Sequence, residues 1–160
     1  MGKHLLILDN SLRSFENFRG TTFRHLQKSY GYDFTILAPS SKSGILSTLF
    51  RFLKCTLLQK YDAVILISAF AIIFTPFVRI FNKNVIVLFP GLGRIFRDET
   101  YYIRFKLLRS YLRFCATIAK KVIVLSESDK QLLGGLPHIV VFNSEGIDMN
   151  LPVHKSKNLY

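Results

Sequence analysis

The stretch Val85-Ile86-Val87-Leu88-Phe89-Pro90-Gly91-Leu92-Gly93-Arg94-Ile95-Phe96 decides the fold of this 160-residue chain. Its first four residues are aliphatic with no polar alternation, the composition of a strand buried on both faces, as in parallel sheets covered by helices. The run passes straight into a turn that holds Pro90, Gly91, Gly93 and Arg94. Glycine lets backbone approach a ligand closely or take positive φ without steric cost, and the carboxyl end of a buried parallel strand is where α/β proteins bind ligands. A plain structural turn has the same composition, so this loop alone leaves both roles open.

Working outward from that strand, similar apolar runs recur along the chain. Strands are expected at His4 to Leu8, Asp33 to Ala38, Ala63 to Ile67, Val85 to Leu88, Lys121 to Leu125 and Ile139 to Phe142. Helices are expected between them, at about Thr21 to Tyr30, Gly44 to Lys60, Ala69 to Phe81, Thr100 to Ala119 and Ser126 to Leu133. Strands alternating with helices and joined by right-handed crossovers give an α/β domain with a Rossmann-like, doubly wound parallel sheet. A chain of this length suits one domain with a proper core. The apolar run from Ala63 to Phe81 is interrupted by Ser68, Thr75, Pro76 and Arg79, so its unbroken part falls short of the ~20 residues a membrane span needs.

Composition narrows the functions. Hydrophobic residues make up 49% of the chain, which excludes wholesale disorder. The 22 Lys and Arg against 10 acids give a net charge of +12, which favours anionic lipid, nucleic acid or phosphorylated substrates. Cys55 and Cys115 stand far apart without metal or disulfide spacing, the pattern of free thiols in a reducing compartment. The apolar run after Met1-Gly2-Lys3-His4 is too short for a signal peptide, and Leu6 breaks the myristoylation pattern.

Two segments carry much of the charge. In Thr100 to Lys121, Ile103, Leu107, Tyr111, Phe114, Cys115 and Ile118 recur at helical spacing, with Lys106, Arg109, Arg113 and Lys120 gathered opposite. In Gly44 to Lys60, apolar residues cover most of the circumference and leave only a narrow arc at Arg51 and Lys54, so this helix is expected to need cover on nearly every side. These six cations suit either a solvated face or the surface of an anionic membrane, which attracts each nearby basic residue by about 1 kcal/mol.

No Walker loop, GxSxG or HExxH is present, and the first strand is followed by Asp9-Asn10-Ser11 rather than GxGxxG, so no cofactor and no metal are expected. His25 and His138 have no carboxylate neighbour in sequence and are expected to be structural.

Four segments in chain order carry a resemblance. They are Phe18-Arg19, the Phe89 to Phe96 loop, Val122-Ile123-Val124-Leu125-Ser126-Glu127-Ser128, and Asn143-Ser144-Glu145-Gly146-Ile147-Asp148. Together, over about residues 3 to 151, they resemble the N-terminal domain of a bacterial family-four glycosyltransferase with the GT-B fold, of the kind that builds surface polysaccharide or lipid-linked oligosaccharide. The resemblance implies retaining transfer of a sugar from a nucleotide donor to a lipid-linked or saccharide acceptor, at the inner face of the cytoplasmic membrane. It also implies that this half of the fold holds the acceptor, with Phe18, Arg19, Gly91, Leu92, Gly93, Arg94, Glu145 and Gly146 as the acceptor-side residues. Arg19 and Arg94 are the cations expected to meet phosphate.

The sequence departs from that family in two places. Its first loop lacks the usual glycine pair, with only Gly20 nearby, and residues 152–160 form a tail where a donor-binding domain would begin. The nucleotide-sugar donor would then be reached only through a separate or missing C-terminal domain, and no transfer is expected from these residues alone. A truncated product, a single-domain fragment and one subunit of a split enzyme all fit, as does a non-enzymatic membrane-recruiting subunit. A nucleic-acid-binding module is disfavoured, because most of the 15 phenylalanines fall on expected core faces rather than among exposed cations.

Overall fold

The computed structural model describes residues 3–10, 25, 27–41, 44–92 and 103–142. Strands β1 (His4–Leu8), β2 (Asp33–Leu37), β3 (Ala63–Ile67), β4 (Val85–Leu88), β5 (Lys121–Val124) and β6 (Ile139–Val141) form one sheet in the order β2-β1-β3-β4-β5-β6. Every neighbouring pair is parallel. This is the α/β, Rossmann-like arrangement the apolar runs imply. Strands β1, β3 and β4 keep their expected bounds, while β2, β5 and β6 each stop one residue earlier.

Helices α1 (Gly44–Leu58), α2 (Ser68–Ile72), α3 (Thr75–Phe81), α4 (Ile103–Ile118) and α5 (Glu127–Leu132) fill the crossovers that follow β2. The chain steps one way from β1 to β2 and the other way thereafter, so right-handed crossovers put α1 to α5 on one face of the sheet. Contacts of α1 with α3, and of α4 with α2 and α3, agree with that placement. Residues 27–30, helical in the β1 to β2 crossover, then belong to the other face.

Side-chain alternation distributes the core. Leu6 and Leu8 of β1 join the large cluster beneath the helices, with Phe52, Val64, Leu66, Val87, Leu112 and Val122. Ile7 points the other way and packs with Ile67, Phe34, Ile65 and Leu88. Each such side chain taken fully out of water contributes about 2 kcal/mol.

Three expectations from the helical segments are corrected. The single helix over Ala69 to Phe81 is two helices. Pro76, in the first turn of α3, lacks an N–H and its ring clashes with the carbonyl four residues back, at Ile72. Thr75 Oγ1 donates to that Ile72 carbonyl at 2.6 Å, so the break leaves it satisfied.

The buried face of α4 is Leu112, Cys115, Ala116 and, just past its end, Ala119, whereas Leu107, Tyr111 and Phe114 are exposed. The small residues Cys115, Ala116 and Ala119 let the helix pack closely against α2 and α3, and an aromatic stripe would hold it away. Helix α1 is covered only along Thr48, Phe52 and Thr56; Leu46, Phe50, Leu57 and Leu58 stay exposed. Among the described residues α1 packs chiefly on β2 and α3, which cover only one stripe of its surface.

Candidate functional site

The strand order reverses at β1, and in open α/β sheets the crevice outside the carboxyl ends of the strands at such a point is the natural ligand site. Three strand ends meet there. Asp9 follows β1, Ser68 follows β3, and the turn Phe89-Pro90-Gly91-Leu92 follows β4.

Pairing fixes their neighbourhood. Leu8 lies opposite Leu37 on one side and Leu66 on the other, and the Asp9 N–H continues the ladder by donating to the Leu37 carbonyl at 3.0 Å. Ile67 pairs with Leu88, so Ser68 and Phe89 leave adjacent strands together, about 5 Å apart by ordinary strand spacing.

Asp9 is fully buried, unusual for a carboxylate, and its Oδ1 accepts the Asn10 N–H at 2.7 Å. Ser68 is the one non-glycine among the described residues with positive φ, at 75°. It is 7% exposed, and its Oγ has no hydrogen-bond partner. A strained backbone and an orphaned buried hydroxyl each cost about 1–3 kcal/mol, and both persist here at one residue. Gly91 is exposed at φ 151°, a conformation side chains rarely adopt, and the space where a Cβ would project is open. Leu92 instead turns inward, 1% exposed, and anchors the loop in the main core.

Chemically, a carboxylate and a hydroxyl at neighbouring strand ends are groups that hydrogen-bond hydroxylated ligands, and here both lie beneath the surface. Among the described residues no three His, Cys, Asp or Glu side chains group to hold a metal ion.

Of the acceptor-side residues expected from sequence, Gly91 and Leu92 are brought to this edge; Phe18, Arg19, Gly93, Arg94, Glu145 and Gly146 lie outside the described residues. Asp9 and Ser68 were not singled out by the motifs. Their signal is nevertheless present as a carboxylate ending the apolar run His4 to Leu8 and a serine breaking the run Ala63 to Phe81.

The six cations divide. Arg51 and Lys54 are exposed on α1, and Lys106 is exposed on α4. Arg113 Nε donates to the Leu132 carbonyl at 3.0 Å, bracing the end of α5. Lys120 Nζ donates to Asn84 Oδ1 at 2.6 Å. Arg109 is half-buried.

The histidines are engaged locally: His138 Nε2 donates to the Ala116 carbonyl at 2.8 Å, and His25 Nε2 lies 3.4 Å from Ser29 Oγ. Both cysteines are free thiols. Burial pushes the Cys115 thiol up to about 11, against hydrogen bonds with Thr75 and Tyr111 that pull it down. It is thus a neutral packing group and no nucleophile.

Against known families the chain matches no family model. No curated protein matches it either. Among the described residues no helix is long and apolar enough to cross a membrane.

Proposed function

We propose that this chain is the acceptor-binding half of a retaining glycosyltransferase, moving a sugar from a nucleotide donor to a lipid-linked or saccharide acceptor. The observation that carries the reading is the pairing of buried Asp9 with strained, unpartnered Ser68 at the point where the strand order reverses. Both groups match sugar hydroxyls, and Gly91 leaves open backbone beside them. The order of the loop motifs along the chain supports the same assignment, with Arg19 and Arg94 as the phosphate contacts of a diphosphate-linked acceptor. The donor would be held by a second, C-terminal domain or subunit, so these residues bind acceptor and do not by themselves transfer. Attachment is peripheral, at the inner face of the cytoplasmic membrane, and no nucleic acid is a partner.

A membrane-recruiting subunit without an acceptor site is the second reading, favoured by the exposed apolar residues of α1. Thermal unfolding separates the two. A polyprenyl-diphosphate sugar raises the melting temperature of the acceptor-binding half, and free nucleotide sugars do little. No shift from any lipid-linked or free saccharide, with vesicle binding intact, would leave the recruiting subunit.

A further inference from the structure

On α1, Leu46, Phe50, Leu53 and Leu57 fall at i, i+4, i+7 and i+11, a straight stripe, and all but half-buried Leu53 are exposed. The adjacent stripe carries Arg51 and Lys54, both exposed. The apolar surface continues onto α3, where Ile80 is 77% and Phe81 49% exposed. Between the carboxyl-terminal ends of α1 and α3 lies a cavity of about 500 Å³, lined among others by Thr56, Leu57, Lys60, Tyr61, Phe81 and Lys83. Thr56 is 7% exposed, and its Oγ1 has no hydrogen-bond partner. The lining contains two lysines and no acid.

We propose that α1 and α3 form a bilayer-docking face, and that this cavity takes the anionic headgroup of a membrane phospholipid. Lys60 and Lys83 face the phosphate. Leu57 and Phe81 at the mouth sit at the depth of the upper acyl chains, as in an interfacial helix whose apolar face is buried and whose basic flank meets the headgroups.

Charge selects a lipid surface as the occupant. From Gly44 to Leu92, the described stretch that holds α1 and α3, there are five Lys and Arg and a single acid, Asp62, whose carboxylate accepts the His4 N–H at 2.7 Å. A protein partner would normally meet a mixture of signs; an anionic bilayer meets one. The 15 residues of α1 span about 22 Å, so a bilayer along its stripe reaches from the cavity to the edge that carries Asp9 and Ser68.

The inference rests on the peripheral attachment proposed above but not on what the crevice binds. The test is co-sedimentation with phosphatidylcholine vesicles with and without phosphatidylglycerol, with thermal unfolding of each variant as the control for folding. The expected result is binding to the anionic vesicles at least tenfold tighter than to the neutral ones. Phe50→Asp should abolish it, and the pair Lys60→Glu and Lys83→Glu should weaken it at least tenfold.

The pair Lys28→Glu and Lys121→Glu changes net charge equally on the other side of the sheet and should leave binding nearly intact. Equal losses from both pairs would reduce the effect to overall charge and overturn the headgroup cavity, with peripheral attachment surviving. Absence of vesicle binding by the unaltered chain would overturn both. A melting shift with glycerol 3-phosphate that matches the one with vesicles would assign the cavity to a soluble phosphate instead. Acceptor binding is read separately by the melting shift with lipid-linked sugar, so its failure does not bear on docking.

Discussion

At the amino edge of the sheet, polar side chains brace the backbone, whereas at the carboxyl edge they are held in conformations the fold itself does not use. Asp62 takes the His4 N–H, and Asn84 Nδ2 donates to the Asp62 carbonyl at 2.8 Å while its Oδ1 accepts Lys120. Asn82 Nδ2 reaches the Tyr61 carbonyl at 2.7 Å, and Arg79 donates to the Ile118 and Lys83 carbonyls. Opposite them stand buried Asp9, strained Ser68 and open Gly91. Strands of a parallel sheet all enter at one edge and leave at the other. Stability can therefore be concentrated at the entering edge while the leaving edge keeps groups for a ligand.

The largest expected effect comes from breaking the brace. Arg79→Ala strips two carbonyls of a charged donor and should lower unfolding stability by about 2–3 kcal/mol in urea titration. The melting shift with lipid-linked sugar should persist; its loss in step with stability would mean that the two edges are not separate.

Next in size is the pH response of the α3 and α4 pair that Arg79 ties together. The Cys115 thiol is raised by burial from 9.0 to about 11, so the folded state holds a proton that the unfolded chain releases. Stability is fully present below about pH 9 and falls as pH rises toward 11, by at most about 1.4 kcal/mol per unit. Urea titrations at pH 8 and pH 10 should show that slope, and Cys115→Ala should flatten it from a lower starting stability. A slope unchanged in the variant would assign it to other groups.

Smaller changes belong to the carboxyl edge. Ser68→Gly relieves the positive φ and should stabilise the fold by about 1 kcal/mol while weakening the acceptor-induced melting shift. Ser68→Ala keeps the strain and removes the orphaned hydroxyl, so it should weaken binding while stabilising the fold through the hydroxyl alone. Stabilisation with undiminished binding would make Ser68 a purely conformational oddity. Gly91→Ala, where space is open but φ is unfavourable, should cost up to about 1 kcal/mol in the same titration.

How far the chain can be read without coordinates differs between these parts. The strand bounds at His4 to Leu8, Ala63 to Ile67 and Val85 to Leu88 are legible because each apolar run is long enough to be buried on both faces and ends on a polar or turn residue. The split between α2 and α3 was announced by Pro76 but is masked by the apolar residues on both sides of it. The covered face of α4 was legible only at Cys115: Leu107, Tyr111 and Phe114 of the expected stripe are exposed, while Leu112, Cys115 and Ala116 are buried. Periodicity reports how apolar a face is and is silent about how closely the neighbouring helices require this one to approach. At the carboxyl edge Gly91 stands out by residue type, whereas Ser68 shows in the sequence only as a polar break in an apolar run, and its strain only in its φ.

What the sequence determined by itself is the class of the molecule: unbroken apolar runs alternating with helical periods admit little but a covered parallel sheet, since burial on both faces follows from composition. What only the tertiary structure decided is which surfaces remain uncovered and which polar groups remain unsatisfied. The exposed stripe of α1, the orphaned hydroxyls of Thr56 and Ser68 and the burial of Asp9 depend on strand order and helix placement, long-range outcomes of packing that no local stretch of residues encodes.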